Sequence, residues 1–414
     1  MPGTRKSELT ASRNGVKSHS ALLLIFLTVF IDLLGFGILI PILPTFATKD
    51  LNMNETAIGI VLAVYSLFQF IFNPILGRLS DRNGRKPIIT FCLLLNAAGY
   101  IIFAYTSSFS MLLVSRIIGG IGGSSVSTAQ AYIADITTKE NRSKGMGLIG
   151  MAFGLGFVFG PFLGGLLSKY SYAVVGYGSA FFSLTAFLFT IIFLPESNKQ
   201  KNKEIKIKFK LVDVQGIKRV FSKHLLGSLV IIFFILTFSM ANTYGTVPLL
   251  GYEVYHFSDL QNGYIFGIIG VVGAIVQGGL LRVITKFLND TKIIMFGAIS
   301  MVAGFALMPY GETFLGLVLV ASLLAFGIGI LQPTVLSLIS GNTDETEQGM
   351  TLGINQSFSA FGRVLGPLWG GFAFQYLGYQ YPFLTGALFS LIIVVICALS
   401  LQKKLKVTEQ EAYN

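Results

Sequence analysis

Cysteine, histidine, tryptophan and charge are all scarce in this chain of 414 residues, which has two cysteines, three histidines, one tryptophan and only 12% Asp, Glu, Lys and Arg. Cys92 and Cys397 each lie inside an apolar run, so no disulfide framework can be drawn. His19, His224 and His256 sit near the ends of such runs and form no zinc-binding cluster with the cysteines. A membrane-embedded enzyme would require a nucleophile beside a base, or a metal, and one buried acid with scattered arginines makes a poor set. What the chain has in abundance is apolar surface: 53% hydrophobic residues and a mean hydropathy of +0.72. That is too apolar for a water-facing protein and marks an all-α integral membrane protein. The formal net charge of +11 is spread over short loops, whereas a nucleic-acid partner would need it collected on one soluble face.

A helix that crosses a bilayer needs about 20 mainly apolar residues. On that length, spans are expected at 21–46, 55–76, 88–107, 109–134, 144–167, 173–195, 226–250, 260–281, 292–310, 314–339, 349–374 and 379–401. The polar stretch Met1–Ser20 precedes a run longer than a signal sequence, without a clear cleavage site, so the first span is read as retained. Lys and Arg then set the orientation. Arg5, Lys6, Arg13, Lys17, Lys139, Arg142, Lys144, Arg282, Lys286, Lys292, Lys403, Lys404 and Lys406 fall on one side, and Lys49 and Lys169 on the other. By the positive-inside rule both termini are expected in the cytoplasm, with the protein in the cytoplasmic (inner) membrane. The acidic loop with Asp344, Glu345 and Glu347 also falls on that side, and acids carry little weight in the rule.

The longest polar stretch, rich in lysine from Lys199 to Lys210, reads as a solvated linker or a surface helix beside anionic lipid. It divides the chain into an N-terminal six-helix bundle (1–195), a basic linker (196–224), a C-terminal six-helix bundle (225–402) and a tail (403–414). The halves repeat. Gly147, Gly156, Gly160, Pro161, Gly164 and Gly165 recur as Gly353, Gly362, Gly366, Pro367, Gly370 and Gly371, all displaced by about 206 residues. Parallel repeats of this kind are a feature of secondary transporters. Gly156, Gly160 and Gly164 fall on one helix stripe that lets a neighbouring backbone approach closely, and Pro161 invites a kink. A second stripe runs through Gly119, Gly123, Ser127 and Ala131.

Between the second and third spans stands Gly77-Arg78-Leu79-Ser80-Asp81-Arg82-Asn83-Gly84-Arg85-Lys86-Pro87. The pattern Gly-x-x-x-Asp-Arg-x-Gly-Arg-Lys-Pro resembles the loop signature of the major facilitator superfamily, the large class of secondary transporters. The resemblance covers nearly the whole chain and implies twelve spanning helices in two pseudo-symmetric bundles. It also implies a cytoplasmic latch of Gly77, Asp81, Gly84, Arg85, Lys86 and Asp135, in which Asp81 caps the start of the eleventh helix near Gly349 and Arg85 pairs with Asp135. Arg82 then serves topology. The second-half counterpart, Gly278 to Lys286, has lost the acid and the Gly-Arg-Lys-Pro ending. The stretch Gly154 to Gly165 resembles the glycine-proline motif of proton-coupled antiporters, with ordinary helix packing as the other reading. Together with Asp32–Pro44, Tyr65–Pro87 and the Arg116 region, it is most similar to the tetracycline-resistance and related drug:proton antiporters. Those exporters carry further acids on helices three and nine, where this chain has Gly99-Tyr100 and Met301-Val302, so tetracycline itself is not implied.

Asp32 lies in the middle of the first span. A carboxylate at mid-membrane costs on the order of 2.5–3.5 kcal/mol, so it should face a cavity or a partner. Either it trades a proton or it bonds a neighbouring serine or asparagine. Arg116 matches the fourth-helix arginine that the antiporter branch uses in proton coupling, and it either pairs with an acid or snorkels. Arg363, on the eleventh span, is open to substrate, a carboxylate or water. Gln69, Asn73, Asn96, Gln130, Gln277, Asn355 and Gln356 are polar positions inside spans, with Tyr65, Phe70 and Tyr132 near some of them. They suit either a mostly apolar cavity with a few amides or hydrogen bonds between helices.

The expected function is therefore secondary transport: proton-coupled efflux of a small amphiphilic or lipophilic compound by alternating access, with Asp32 and Arg116 in proton coupling. No cofactor beyond the proton gradient is expected, and the partners are substrate, protons and lipid, with the chain working as a monomer. The competing expectation is a proton-coupled importer of a nutrient such as a sugar, and a membrane-embedded enzyme comes last.

Overall fold

In the computed structural model, residues 3–198, 214–344 and 347–401 are described, and the side chains of 3–19, 139–140, 143–144 and 400–401 are left aside. The lysine-rich part of the linker from Lys199, Glu345 and the tail from Lys403 fall outside the described residues. The described chain is helical: α1 Gly3–Leu39, α2 Ile42–Lys49, α3 Glu55–Asn83, α4 Arg85–Ala104, α5 Phe109–Gly122, α6 Ser125–Ile136, α7 Lys139–Leu167 and α8 Tyr172–Phe193. After the linker come α9 Val214–Ser222, α10 His224–Leu249, α11 Asp259–Ile275, α12 Leu281–Ile284, α13 Asp290–Leu307, α14 Phe314–Gly341, α15 Gln348–Tyr376 and α16 Tyr381–Ile396. Eleven spans among the described residues are long and apolar enough to cross a membrane. The one expected span outside this set is the eleventh, α15, which has the length at 29 residues, but Arg363 and a row of glycines lower its hydropathy.

Helix starts follow from local chemistry. Ser108, Ser171, Asn289 and Thr313 each accept a hydrogen bond from a first-turn amide of α5, α8, α13 and α14. Ser258 forms a reciprocal capping box with Gln261 at α11. Two expected spans are interrupted: the first turns at Ile40–Pro41 before α2, and the fourth breaks between Gly122 and Ser125. Short π-helical segments follow α10 at Leu250–Val254 and α11 at Val276–Leu280, the latter holding Gln277. Such segments relieve a helix that must change its register.

Two compact units form. One comprises Met1–Leu39, Phe68–Gly160 and Ser171–Lys208, and the other Ile40–Leu67, Pro161–Tyr170 and Phe209–Asn414. Glycine contacts explain this division. In the first unit a Cβ at Gly37 would lie 2.6 Å from the carbonyl oxygen of Gly156, and one at Gly160 would lie 2.6 Å from the Cα of Gly37, so α1 and α7 meet backbone to backbone. In the second unit the repeated glycines do the same on α10: Gly362 lies against Thr237, Gly366 against Phe238 and Gly370 against Asn242. The second unit also takes in the far end of α7 and the start of α3. Gly165 packs on Leu260, Gly263 on Pro161, and Gly371 on Glu55 and Gly59. The repeat is thus a repeat of contacts as well as of sequence.

The acidic loop has a local reason. Lys223 Nζ lies 2.8 Å from Glu347 and 3.2 Å from Asp344, and Arg219 lies 3.8 Å from Glu347. These acids hold the basic helix α9 at the start of α15. Hydrogen bonds from Lys223 to Glu347 and then to Asp344 keep the Lys223 ammonium above its ordinary pKa. The lysine's share of the tie is therefore fully present at neutral pH and is lost as the pH rises into the alkaline range. It is solvent-exposed, so salt screens it.

Two outcomes follow. Gly160→Val should force α1 from α7 and cost about 1–3 kcal/mol, read as a lower melting temperature in detergent. Lys223→Glu should free α9, read as faster protease cleavage near Ser222 than in the wild type at equal salt.

Candidate functional site

Asp32 is 5% exposed, and its partners come from three other helices. Asn96 Nδ2 on α4 donates to both carboxylate oxygens at 3.0 and 3.1 Å. Ser125 Oγ on α6 donates at 3.0 Å and Ser183 Oγ on α8 at 2.8 Å. The break between α5 and α6 has a purpose here, because it puts Ser125 on the first turn of a new helix beside the acid. Gly122, at the end of α5, leaves the space that Asn96 occupies: a Cβ there would collide with its Oδ1. The backbone carbonyl of Gly123 accepts from Gln69 Nε2 at 3.0 Å. A glycine-rich break inside a span thus stays satisfied because protein surrounds it.

All of Asp32's donors are neutral, and Arg116 is not among them. Arg116 donates to Ser115 Oγ at 3.0 Å, and its guanidinium lies 5.8 Å from the centre of the Phe103 ring. Of the amides expected in a cavity, Asn96 is on Asp32, Gln69 is on Gly123, and Asn73 accepts from Ser127 at 3.3 Å. Gln130 and Gln356 are exposed, and Asn355 is fully buried with neither side-chain atom bonded among the described residues. Arg363 Nη1 donates to Ser359 at 2.8 Å, with Tyr65 and Tyr244 as its electrostatic neighbours.

The loop between α3 and α4 is built around Arg85. Its Nε pairs with Asp135 at 2.9 Å, its Nη1 bonds Ser80 at 2.6 Å, and Asp81, one turn earlier, completes the set. Gly84 takes φ +110°, a conformation that favours glycine, and so turns α3 into α4. The exposed amides at the start of α4 are then taken by Glu196, whose carboxylate accepts from Arg85 N at 2.8 Å and Lys86 N at 3.3 Å. Around it, Tyr132 donates to Pro195, Ser197 to Asp135, Asn198 to Asp81, and Lys86 Nζ to Ile191. The sequence reading placed Glu196 only at the head of the linker. An acid directly after a span, in a chain whose four nearest turn cations outnumber their acid, was the available signal.

Long helices in two internally repeated sets, one of them broken beside a buried carboxylate, define an integral membrane protein of the secondary transporter class. The comparisons agree. The model of the Major Facilitator Superfamily matches residues 25–344 and 288–412. Multidrug resistance protein 1 of Bacillus subtilis (strain 168) is 31% identical over 373 residues, covering 89% of this chain and 92% of that protein. Tetracycline resistance protein, class H, of Pasteurella multocida is 29% identical and covers 86% of this chain and 90% of its own length. Among solved structures, the human organic anion transporter MFSD10 superposes with a TM-score of 0.69 at 26% identity, over 92% of this chain and 99% of that one. The chain belongs to the Major Facilitator Superfamily. The resemblance to its drug-antiporter branch stands, and its relatives are transporters, which sets the enzyme reading aside.

Glu196→Ala removes the cap on α4. It should lower stability by about 0.5–2 kcal/mol, seen as an earlier unfolding midpoint, whereas Glu196→Gln should show a smaller loss because one oxygen acceptor remains.

Proposed function

We propose that the protein exports a small amphiphilic or lipophilic organic compound in exchange for protons, by alternating access. The observation that carries this reading is Asp32: a carboxyl withheld from water and held by Asn96, Ser125 and Ser183, with no cation among its partners in the described residues. A charge in hydrocarbon is costly without a cation beside it, so the protonated form is within reach. Protonation needs a rearrangement. A protonated carboxyl must donate, the two serine hydroxyls can turn to accept, and Asn96 can present its Oδ1, which has no hydrogen-bond partner among the described residues. Ser125 lies on the α5–α6 break, so proton uptake acts at a place where the helix is already discontinuous. A membrane potential supplies about 2.3 kcal/mol per charge per 100 mV to drive the inward proton.

The names of the relatives support small organic substrates: two are resistance proteins for drugs and one is a carrier of organic anions. The distribution of Lys and Arg supports a cytoplasmic membrane with both termini inside. Exposed tyrosines at the sparsely charged turns, Tyr105, Tyr170, Tyr310 and Tyr376, suit the opposite membrane interface. The two bundles of the repeat, 1–195 and 225–402, are the moving bodies of this proposal, and the chain works as a monomer in contact with lipid. Arg85 with Asp81 and Asp135 serves as the latch, and Arg116 tunes the field around the proton site.

Asp32→Asn in everted vesicles should abolish substrate accumulation driven by a proton gradient while sparing gradient-free exchange. Accumulation at the wild-type level would remove Asp32 from the mechanism.

A further inference from the structure

Among the described second-half helices α10, α14, α15 and α16, Arg363 is a half-buried cation with no carboxylate on any of the four. Arg363 enters none of the ion pairs among the described residues: its one side-chain hydrogen bond goes to Ser359, and its electrostatic neighbours are Tyr65 and Tyr244. A guanidinium with five donors in a fixed fork is built to meet a planar anion. Among the described residues only one of these donors has an acceptor.

Arg363 also ends a polar seam. Thr351, Asn355 and Ser359 precede it at successive intervals of four along α15, and they are 1%, 0% and 2% exposed. Thr351 Oγ1 and both polar atoms of Asn355 have no hydrogen-bond partner among the described residues. Buried polar groups left this way call for water or a ligand. The seam is not a packing need of the repeat. In the first copy the same four positions are Gly145, Ile149, Phe153 and Phe157, while the glycine contacts around them are retained.

We propose that Arg363 binds the acidic group of the substrate, and that the substrate class is an amphiphilic organic anion whose aromatic or aliphatic body rests against Tyr65 and Tyr244. Tyr244 in turn packs on Phe266, with ring centres 6.4 Å apart, which extends an apolar wall. The inference deepens the efflux reading and rests on it for the direction of transport, though not for binding.

The single tryptophan of the chain, Trp369, lies six residues after Arg363 on the same helix, so binding can be read without a gradient. With the full-length protein in detergent, phenylbutyrate should change Trp369 fluorescence saturably, and phenylbutylammonium should bind much more weakly. Arg363→Gln should weaken phenylbutyrate binding by about tenfold or more, and Arg363→Lys should restore part of it. Unchanged melting of the variants shows that the loss is not one of folding. Equal binding of phenylbutyrate by wild type and Arg363→Gln, no saturable response in the wild type, or a preference for the ammonium would each overturn the proposal. If phenylbutyrate binds as stated but everted vesicles fail to move it on a proton gradient, the anion site stands and the efflux reading falls.

Discussion

A carboxylate kept out of water by neutral donors is the constraint on which the first unit depends. Asp32 alone would be intolerable in hydrocarbon, and its four hydrogen bonds from Asn96, Ser125 and Ser183 draw α1, α4, α6 and α8 to one point. The surrounding sequence accommodates that point. Gly122 makes room for Asn96, the break after it delivers Ser125, and Gln69 quiets the carbonyl that the break exposes. Hydrogen bonds to neutral groups hold a charge well enough to fold around, yet they do not fix its protonation state as an arginine would. In the cycle proposed above, the same arrangement is structural in one step and chemical in the next.

Packing and chemistry are separable here. Glycine stripes bring α7 to α1 in one copy and α15 to α10 in the other, by the same kind of backbone contact. Between those glycines the two copies differ. The first carries phenylalanines where the second carries Ser359 and Arg363, and α10 has no acid to match Asp32 on α1. The two copies thus share their packing and differ in where ionisable side chains stand, with Asp32 on α1 and Arg363 on α15 having no counterpart at the matching positions.

The spans were legible because hydrocarbon thickness imposes a length that composition cannot hide, and the repeat was legible because glycine is irreplaceable where backbones touch. The break inside the fourth span was not, since Gly122, Gly123 and Ser124 continue a small-residue stripe that reads as smooth helix. Asn96 and Gln69 were visible as polar residues in spans, but a spacing along one helix does not say which other helix supplies the partner. Glu196 was hidden for the same reason: its role depends on Gly84 turning the chain more than a hundred residues earlier so that two amides point outward. The acidic loop near Asp344, anomalous by charge counting alone, became intelligible once Arg219 of α9 and Lys223 just after it stood opposite it.

The cap that Glu196 places on α4 ties the last residues of the sixth span, through Asn198 and Ser197, to the turn where α3 becomes α4 and to Asp135 at the end of α6. Three chain segments that leave the bilayer on one face are thereby stitched into a single plate. The helices joined at that plate, α4, α6 and α8, are the same ones that supply Asn96, Ser125 and Ser183, so the surface turn and the buried acid share a single set of supports and neither can be re-set by an element of its own.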